Sequence, residues 1–311
     1  MALFPVPILT NGATHSAQQF RMMVRDLVSG AEGITQGTDL KVAQLSTPGA
    51  SIQVGDGSGV VRGRVSSFQG TYSVCNIGSA TVPIAATGGS ARSDMVILRV
   101  EDPEYEGSLN PAIDNVNYFQ VISNVSSSAT TIPDGRTGIP LARIDIPAST
   151  STITNAMIKD IRQVASPRRE SRLWTQSPAS LSTEITGGAS VFSYFTTAAG
   201  WTLAIPSWAS TVRINITASQ LRYSTALYYG GLRATFGASL TVQPVNLDDN
   251  QTGIRRGTVA AADTLTIPDA YRGTSQLLRL QAAGYTGNTG KVGVDSSTTL
   301  IAQVEFEEAP R

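Results

Sequence analysis

Histidine is the side chain best suited to moving protons near neutral pH, and this chain of 311 residues has one. A Ser/His/Asp triad or a histidine-ligated metal would have to be built around His15 alone. Its place just ahead of an apolar-periodic segment predicts instead a residue at the start of a helix, packing near Phe20. No GxSxG, HExxH or Walker A string occurs. The single cysteine, Cys75, supports neither an internal disulfide nor a cysteine-based zinc site.

Other pieces have the composition of sites but not the spacing. Gly55, Gly57, Gly59 and Gly63 suggest a phosphate cradle, yet GxGxxG counted from Gly57 needs glycine where Arg62 stands, and no helical pattern follows. A hairpin turn is the expected structure there, glycine supplying the positive φ that such turns need. Asp248, Asp249 and Asn250 with Gly253 offer oxygens to a hard cation but lack the alternate ligands and closing glutamate of a calcium loop, so turn chemistry is expected. Arg255 and Arg256 read as a solvated turn. No carboxylate pair is marked out for glycoside hydrolysis. The aromatic residues of the second half can stack on the apolar faces of sugars. Of these, Trp201, Trp208, Tyr228 and Tyr229 are the candidate glycan contacts; no catalytic, cofactor or metal residue is expected.

The composition narrows the partners. Lys plus Arg and Asp plus Glu are both 23, so no net field draws in a phosphate backbone, and nucleic acid is not expected. Apolar residues make up 41% and charged residues 15%, with abundant glycine, a mixture that suits strands and tight turns. No apolar run reaches the roughly 20 residues of a spanning helix, and the start MALFPVPIL lacks the basic region of a signal peptide, so synthesis in a cytoplasm without membrane insertion is expected. The sequons at Asn124, Asn215 and Asn250 then read as chance.

These residues must be positioned by two domains, predicted at 1–166 and 167–311, with the boundary in the charged, proline-containing SPRRESR at Ser166–Arg172. Pro5 and Pro7 predict an extended arm over the first ten residues, its apolar side chains laid on a neighbour. Ser16 and Gln19 have capping-box spacing, and Phe20, Met23, Val24, Leu27 and Val28 recur at helical intervals up to Gly30. This is the one long helix. From Leu40 the period changes to two. SDMVILRV (93–100) and IPLARIDI (139–146) are apolar on both faces, as buried strands are. In the second half Val212, Ile214, Ile216 and Ala218 alternate with polar residues, as do Leu300, Ala302, Val304 and Phe306. The predicted class is mainly β: an α+β N-terminal domain, then an antiparallel, jelly-roll-like β-sandwich.

The ordered series of the helix His15–Val28, the turn QVGDGSGVVRG, Tyr72, the strand RSDMVILRVE (92–101), IPLARIDIPA (139–148) and ITNAMIKDIR (153–162) resembles the N-terminal assembly domain of siphophage minor tail and upper baseplate proteins, especially from phages of Gram-positive, including actinobacterial, hosts. The resemblance covers about the first 165 residues. Ser93 departs from the commoner hydrophobic residue, and the second half, through IPSWAST (205–211), is similar in type only. The resemblance implies a virion component of the tail tip, without enzymatic activity, forming a homo-oligomer with a trimer favoured and docking on other tail proteins. The alternative is a receptor-binding protein whose sandwich reads a host envelope glycan. Arg92, Asp94, Asp160 and Arg162 flank the buried strands and are expected to form an ionic network that fixes register.

Overall fold

In the computed structural model, residue 4 and residues 6–311 are described. Contacts divide the chain into one unit running up to Pro167 together with Ala309–Arg311, and a second spanning Arg168–Glu308. The last three residues thus join the first unit rather than the C-terminal one, because Arg311 N donates to Gly37 O (2.9 Å) and Arg162 Nη2 donates to Arg311 O (3.1 Å).

The first unit contains α1 (Ala17–Leu27), β1 (Gly33–Ile34), β2 (Val42–Gln44), β3 (Ser51–Val54), β4 (Gly57–Arg62), β5 (Thr71–Asn76), β6 (Ala80–Pro83), β7 (Arg92–Val100), β8 (Asn117–Ile122), β9 (Gly138–Ile146) and β10 (Ile158–Asp160). They form three antiparallel sheets, ordered β1-β4-β5, β2-β3-β6 and β10-β9-β7-β8. The two strands expected to be buried on both faces, β7 and β9, pair at the centre of the third sheet, with Val96, Ile97, Leu141 and Ile144 all fully buried. Pro140 has no amide proton to give the ladder, and the register slips beside it, between Val96 and Ile97. The glycine-rich piece is not a hairpin. β3 and β4 lie in different sheets, so the glycines turn a corner between sheets and Asp39 Oδ2 accepts from Ser58 N (3.2 Å) to hold it.

The expected capping box starts α1: Ser16 Oγ accepts from Gln19 N (3.2 Å) and Gln19 Oε1 accepts from Ser16 N (2.9 Å). Gly30 N donating to Arg25 O (2.8 Å) ends it. The arm expected over the first ten residues lies partly outside the described residues. In the part described, Val6 O accepts from Gln19 Nε2 (2.9 Å), so this stretch runs beside α1.

The second unit contains β11 (Arg169–Gln176), β12 (Ser193–Tyr194), β13 (Gly200–Ala204), β14 (Thr211–Ser224), β15 (Tyr228–Phe236), β16 (Leu240–Thr241), β17 (Val245–Asp249), β18 (Arg255–Thr266), β19 (Ser275–Gly284), β20 (Lys291–Gly293) and β21 (Thr299–Glu307). One sheet runs β11-β21-β14-β18 and the other β13-β19-β15-β17, every pair antiparallel. Taken in chain order, the eight strands cross from sheet to sheet at every step except β15 to β17, which pair directly, and this is the order of a jelly roll. The core follows the alternation. Val212, Ile214, Ile216 and Ala218 face Leu300, Ala302, Val304 and Phe306 within one sheet, and Leu232, Ala234, Phe236, Leu278 and Leu280 meet them from the other. A bulge with Gln220 at φ 58 shifts the phase by one, so that Leu221 and Tyr223 point inward after Ala218.

Candidate functional site

Two surfaces stand out, one on each unit. In the first, α1 turns part of its apolar stripe outward, with Met23, Val24 and Val28 half-buried. Its one buried residue is Arg21, while Phe20 and Leu27 are exposed, as are Phe4, Leu9, Val65 and Phe68 elsewhere in the unit. His15 packs edge-on against Phe20 as expected, with ring centroids 6.2 Å apart. Helical periodicity marks the apolar stripe but not the side of the helix that the fold covers.

Arg21 is taken inward by a polar socket. Nε donates to Gln69 O (2.8 Å), Nη2 donates to Glu104 Oε2 (2.7 Å) and to the Tyr105 hydroxyl (3.2 Å), and Nη1 lies 3.3 Å from Asp102 Oδ2. The guanidinium carbon sits 5.5 Å and 5.3 Å from the ring centroids of Tyr72 and Tyr105. Tyr72 donates to Asp102 Oδ2 (2.7 Å) and accepts from Gln69 Nε2 (3.0 Å). Burial, then the bond to Asp102, push the Tyr72 hydroxyl well above its ordinary range, so it remains a donor. The helix approaches so closely that a Cβ on Gly70 would fall 2.7 Å from Arg21. A charge so fully paired fixes one docking of α1.

The four residues expected to form one network form two pairs instead. Arg92 Nε and Nη2 donate to the two oxygens of Asp94 (2.8 and 3.0 Å), and fully buried Asp94 also accepts from Asn124 N (3.0 Å). Arg162 Nε and Nη2 donate to Asp160 (2.9 and 2.6 Å), with Nη1 on Asp39 O. Arg92 and Asp94, two apart on β7, share a face, and Arg162 lies two residues past Asp160 just beyond the end of β10, so each arginine meets its own near neighbour, and no bond among the described residues joins the pairs.

A pocket of about 340 Å³ in the first unit is lined by Glu32, Arg64, Thr131, Ile132, Arg136 and Ile139, among others. Its charges are used in pairs, Arg64 with Glu32 and Arg136 with Asp134, and His15 is not in its wall. The described residues contain no cluster of three His, Cys, Asp or Glu able to hold a metal, and no helix long and apolar enough to cross a membrane.

In the second unit the expected glycan platform does not assemble. Trp201 and Tyr228 are core residues, 7% and 0% exposed, because their strand positions alternate inward, and neither can stack on a sugar. Trp208 is half-buried beneath Arg168, whose guanidinium carbon lies 5.3 Å from its ring. Only Tyr229 is well exposed, at 42%. Nor are Arg255 and Arg256 a solvated turn: they open β18 and pair with Asp249 and Asp295. The Tyr228 hydroxyl and Trp201 Nε1 are buried without a hydrogen-bond partner. Since such an orphan costs about 1–3 kcal/mol, Tyr228→Phe is expected to stabilise the second unit by about 1 kcal/mol, seen as a higher urea midpoint by tryptophan fluorescence.

What the fold does expose is the outer face of the β13-β19-β15-β17 sheet. Tyr229 sits opposite Asp248, Gly231 opposite Asn246 and Ala283, Arg233 opposite Gln281, and Thr235 opposite Arg279. Tyr285 packs edge-on against Tyr229, with centroids 5.5 Å apart, and lies across Gly231, where a Cβ would come 2.3 Å from its hydroxyl. Arg233 stacks on Phe192 at 3.9 Å and Arg279 on Tyr194 at 4.3 Å, distances suited to cation–π attraction. Tyr194 also shares a hydrogen bond with Thr235 (3.0 Å). Sequence reasoning missed Phe192, Tyr194, Arg233 and Arg279. The signal available was the odd-position polar residues of GGLRATF and LLRLQAA, readable only once those strands are known to be neighbours.

No family model and no curated protein matches the chain. Among solved structures, the infectious bursal disease virus Gx strain structure is 12% identical over 93% of this chain and 87% of the other, with a TM-score of 0.25. The VP2 subviral particle of that virus is 12% identical over 93% and 86%, at 0.24. A Bacillus thuringiensis Cry1Da tryptic core variant is 10% identical over 98% and 57%, at 0.20. Superpositions this loose carry no argument; the strand order itself defines the jelly roll.

Proposed function

We propose that this chain is a non-enzymatic structural protein of a virion, acting at a phage tail tip or baseplate, with its first unit as the assembly module and its jelly roll displayed toward the host. The observation that carries the reading is the exposed apolar side of α1. A face bearing Phe20 and Leu27, with Phe4 and Leu9 exposed nearby in sequence, is costly to leave in water, and burial against another subunit recovers about 25 cal/mol per Å² before association costs. Self-association with closed rotational symmetry supplies that cover, a trimer first, and docking to neighbouring tail proteins uses what remains. The sequence resemblance over the first 165 residues supports the tail assignment.

Light scattering coupled to size exclusion on the full chain is expected to give an oligomer that Phe20→Asp with Leu27→Asp converts to a folded monomer. A wild-type monomer at micromolar concentration overturns the reading.

The second reading, recognition of a host glycan by the jelly roll, is favoured by the exposed aromatic and guanidinium face of its outer sheet. Weak sites there would be multiplied across the oligomer.

A further inference from the structure

Among the described residues most arginines carry an ion pair, and Arg233 and Arg279 do not. Both are half-buried on the same face of the second unit. Arg233 stands opposite Gln281 and Arg279 opposite Thr235, so the two are diagonal neighbours across β15 and β19, about 7–8 Å apart at the backbone. Their positions are fixed. Arg233 Nε donates to Gln281 Oε1 (2.9 Å), Arg279 Nε donates to Thr196 O (3.1 Å), and each guanidinium is stacked on a ring. With Nε used and the plane held by stacking, the Nη edges are the donors left, in the orientation that a planar oxyanion meets bidentately. Among the described residues, the one carboxylate that the register places on this face, Asp248, belongs to the Tyr229 row, four residues and roughly 13 Å along β15 from Arg233.

We infer that this face is a binding site for a carboxylate-bearing polysaccharide, with Arg233 and Arg279 gripping the carboxylate and Tyr194, Tyr229 and Asn246 meeting the sugar rings and hydroxyls. The inference rests on the glycan-recognition reading above and gives it a ligand class. Charge complementarity selects the class: two preorganised, uncompensated guanidinia beside the exposed ring of Tyr194 call for a negative charge attached to a sugar ring. A uronate carries its carboxylate directly on the ring, so charge and ring face arrive together, whereas a polyol phosphate presents charge on a chain with no ring face. A neutral glycan leaves both cations unused.

The test uses the full chain and three immobilised polymers: polygalacturonate, poly(glycerol phosphate) and neutral dextran. Polygalacturonate is expected to bind best, with affinity falling at least roughly tenfold between about 0.05 and about 0.5 M sodium chloride. Arg233→Gln with Arg279→Gln is expected to cost roughly tenfold or more. Tryptophan fluorescence checks that the variant folds, and if it does not, Arg279→Lys alone, which keeps the charge but not the fork, is expected to weaken binding while preserving its salt dependence. Equal or better binding to dextran or to poly(glycerol phosphate) overturns the proposal, as does polygalacturonate binding that the folded variants leave unchanged. The assembly reading is tested separately: loss of polygalacturonate binding with the oligomer intact overturns this inference alone.

Discussion

Replacing Arg21 by alanine is expected to destabilise the first unit by about 3–5 kcal/mol, the cost of stranding buried charge. The substitution removes every partner that the guanidinium supplies at once. Asp102 keeps only the Tyr72 hydroxyl and its turn contact with Glu104 N, Gln69 O loses its donor, and two aromatic rings lose the cation between them. Because Arg21 is the one buried side chain of α1, with Gln18 adding a bond to Phe68 O (3.0 Å), detachment of the helix should precede global unfolding. Amide exchange within residues 17–27 and limited proteolysis after Arg25 report the loss directly. Arg21→Lys is not expected to rescue, since an ammonium cannot serve the Gln69, Glu104 and Asp102 directions from one planar fork. Exchange protection in α1 that survives Arg21→Ala would show that the helix is held by something other than the socket.

The second unit is expected to lose stability in alkali. Burial, and after it the carboxylate of Asp249, push the Tyr223 hydroxyl up to about 12 from its ordinary 10. Burial raises Tyr228 further. The sign is set by which state holds the proton. Above pH 10 the unfolded chain ionises its tyrosines while the folded unit keeps them protonated, so the folded state binds more protons and stability falls as pH rises. The contribution is intact below pH 10 and lost through about pH 12; for Tyr223 alone it amounts to about 3 kcal/mol. All three tryptophans, Trp174, Trp201 and Trp208, lie in the second unit, so fluorescence-detected urea unfolding at successive pH values reads this unit selectively. Tyr223→Phe should flatten the decline. A midpoint that stays level from pH 9 to strongly alkaline solution in the wild type would contradict the assignment.

Both predictions concern how each unit is held together. The Arg21 socket holds α1 by polar contacts, and Phe20 and Leu27 stay on its exposed side. The buried tyrosines do the reverse, using an apolar interior to hold the jelly roll so that its outer sheet can carry stacked arginines at fixed spacing. In each unit the chemistry inside sets what the surface can offer.

The sequence alone determined whatever depends on periodicity and local hydrogen bonding. Capping at Ser16, the two-sided burial of β7 and β9, and the inward faces of β14 and β21 follow from residues a few positions apart, whose geometry is set by helix and strand repeats. Tertiary structure decided everything that depends on which strands become neighbours. It turned α1 so that arginine rather than phenylalanine faced inward, because the socket residues Gln69, Asp102 and Glu104 are far away in sequence. It took Trp201 and Tyr228 into the core, sent the glycine-rich corner between sheets, and placed Arg233 beside Arg279, two residues 46 positions apart that no local pattern connects. Side-chain alternation tells one face of a strand from the other; only cross-strand pairing decides what shares that face.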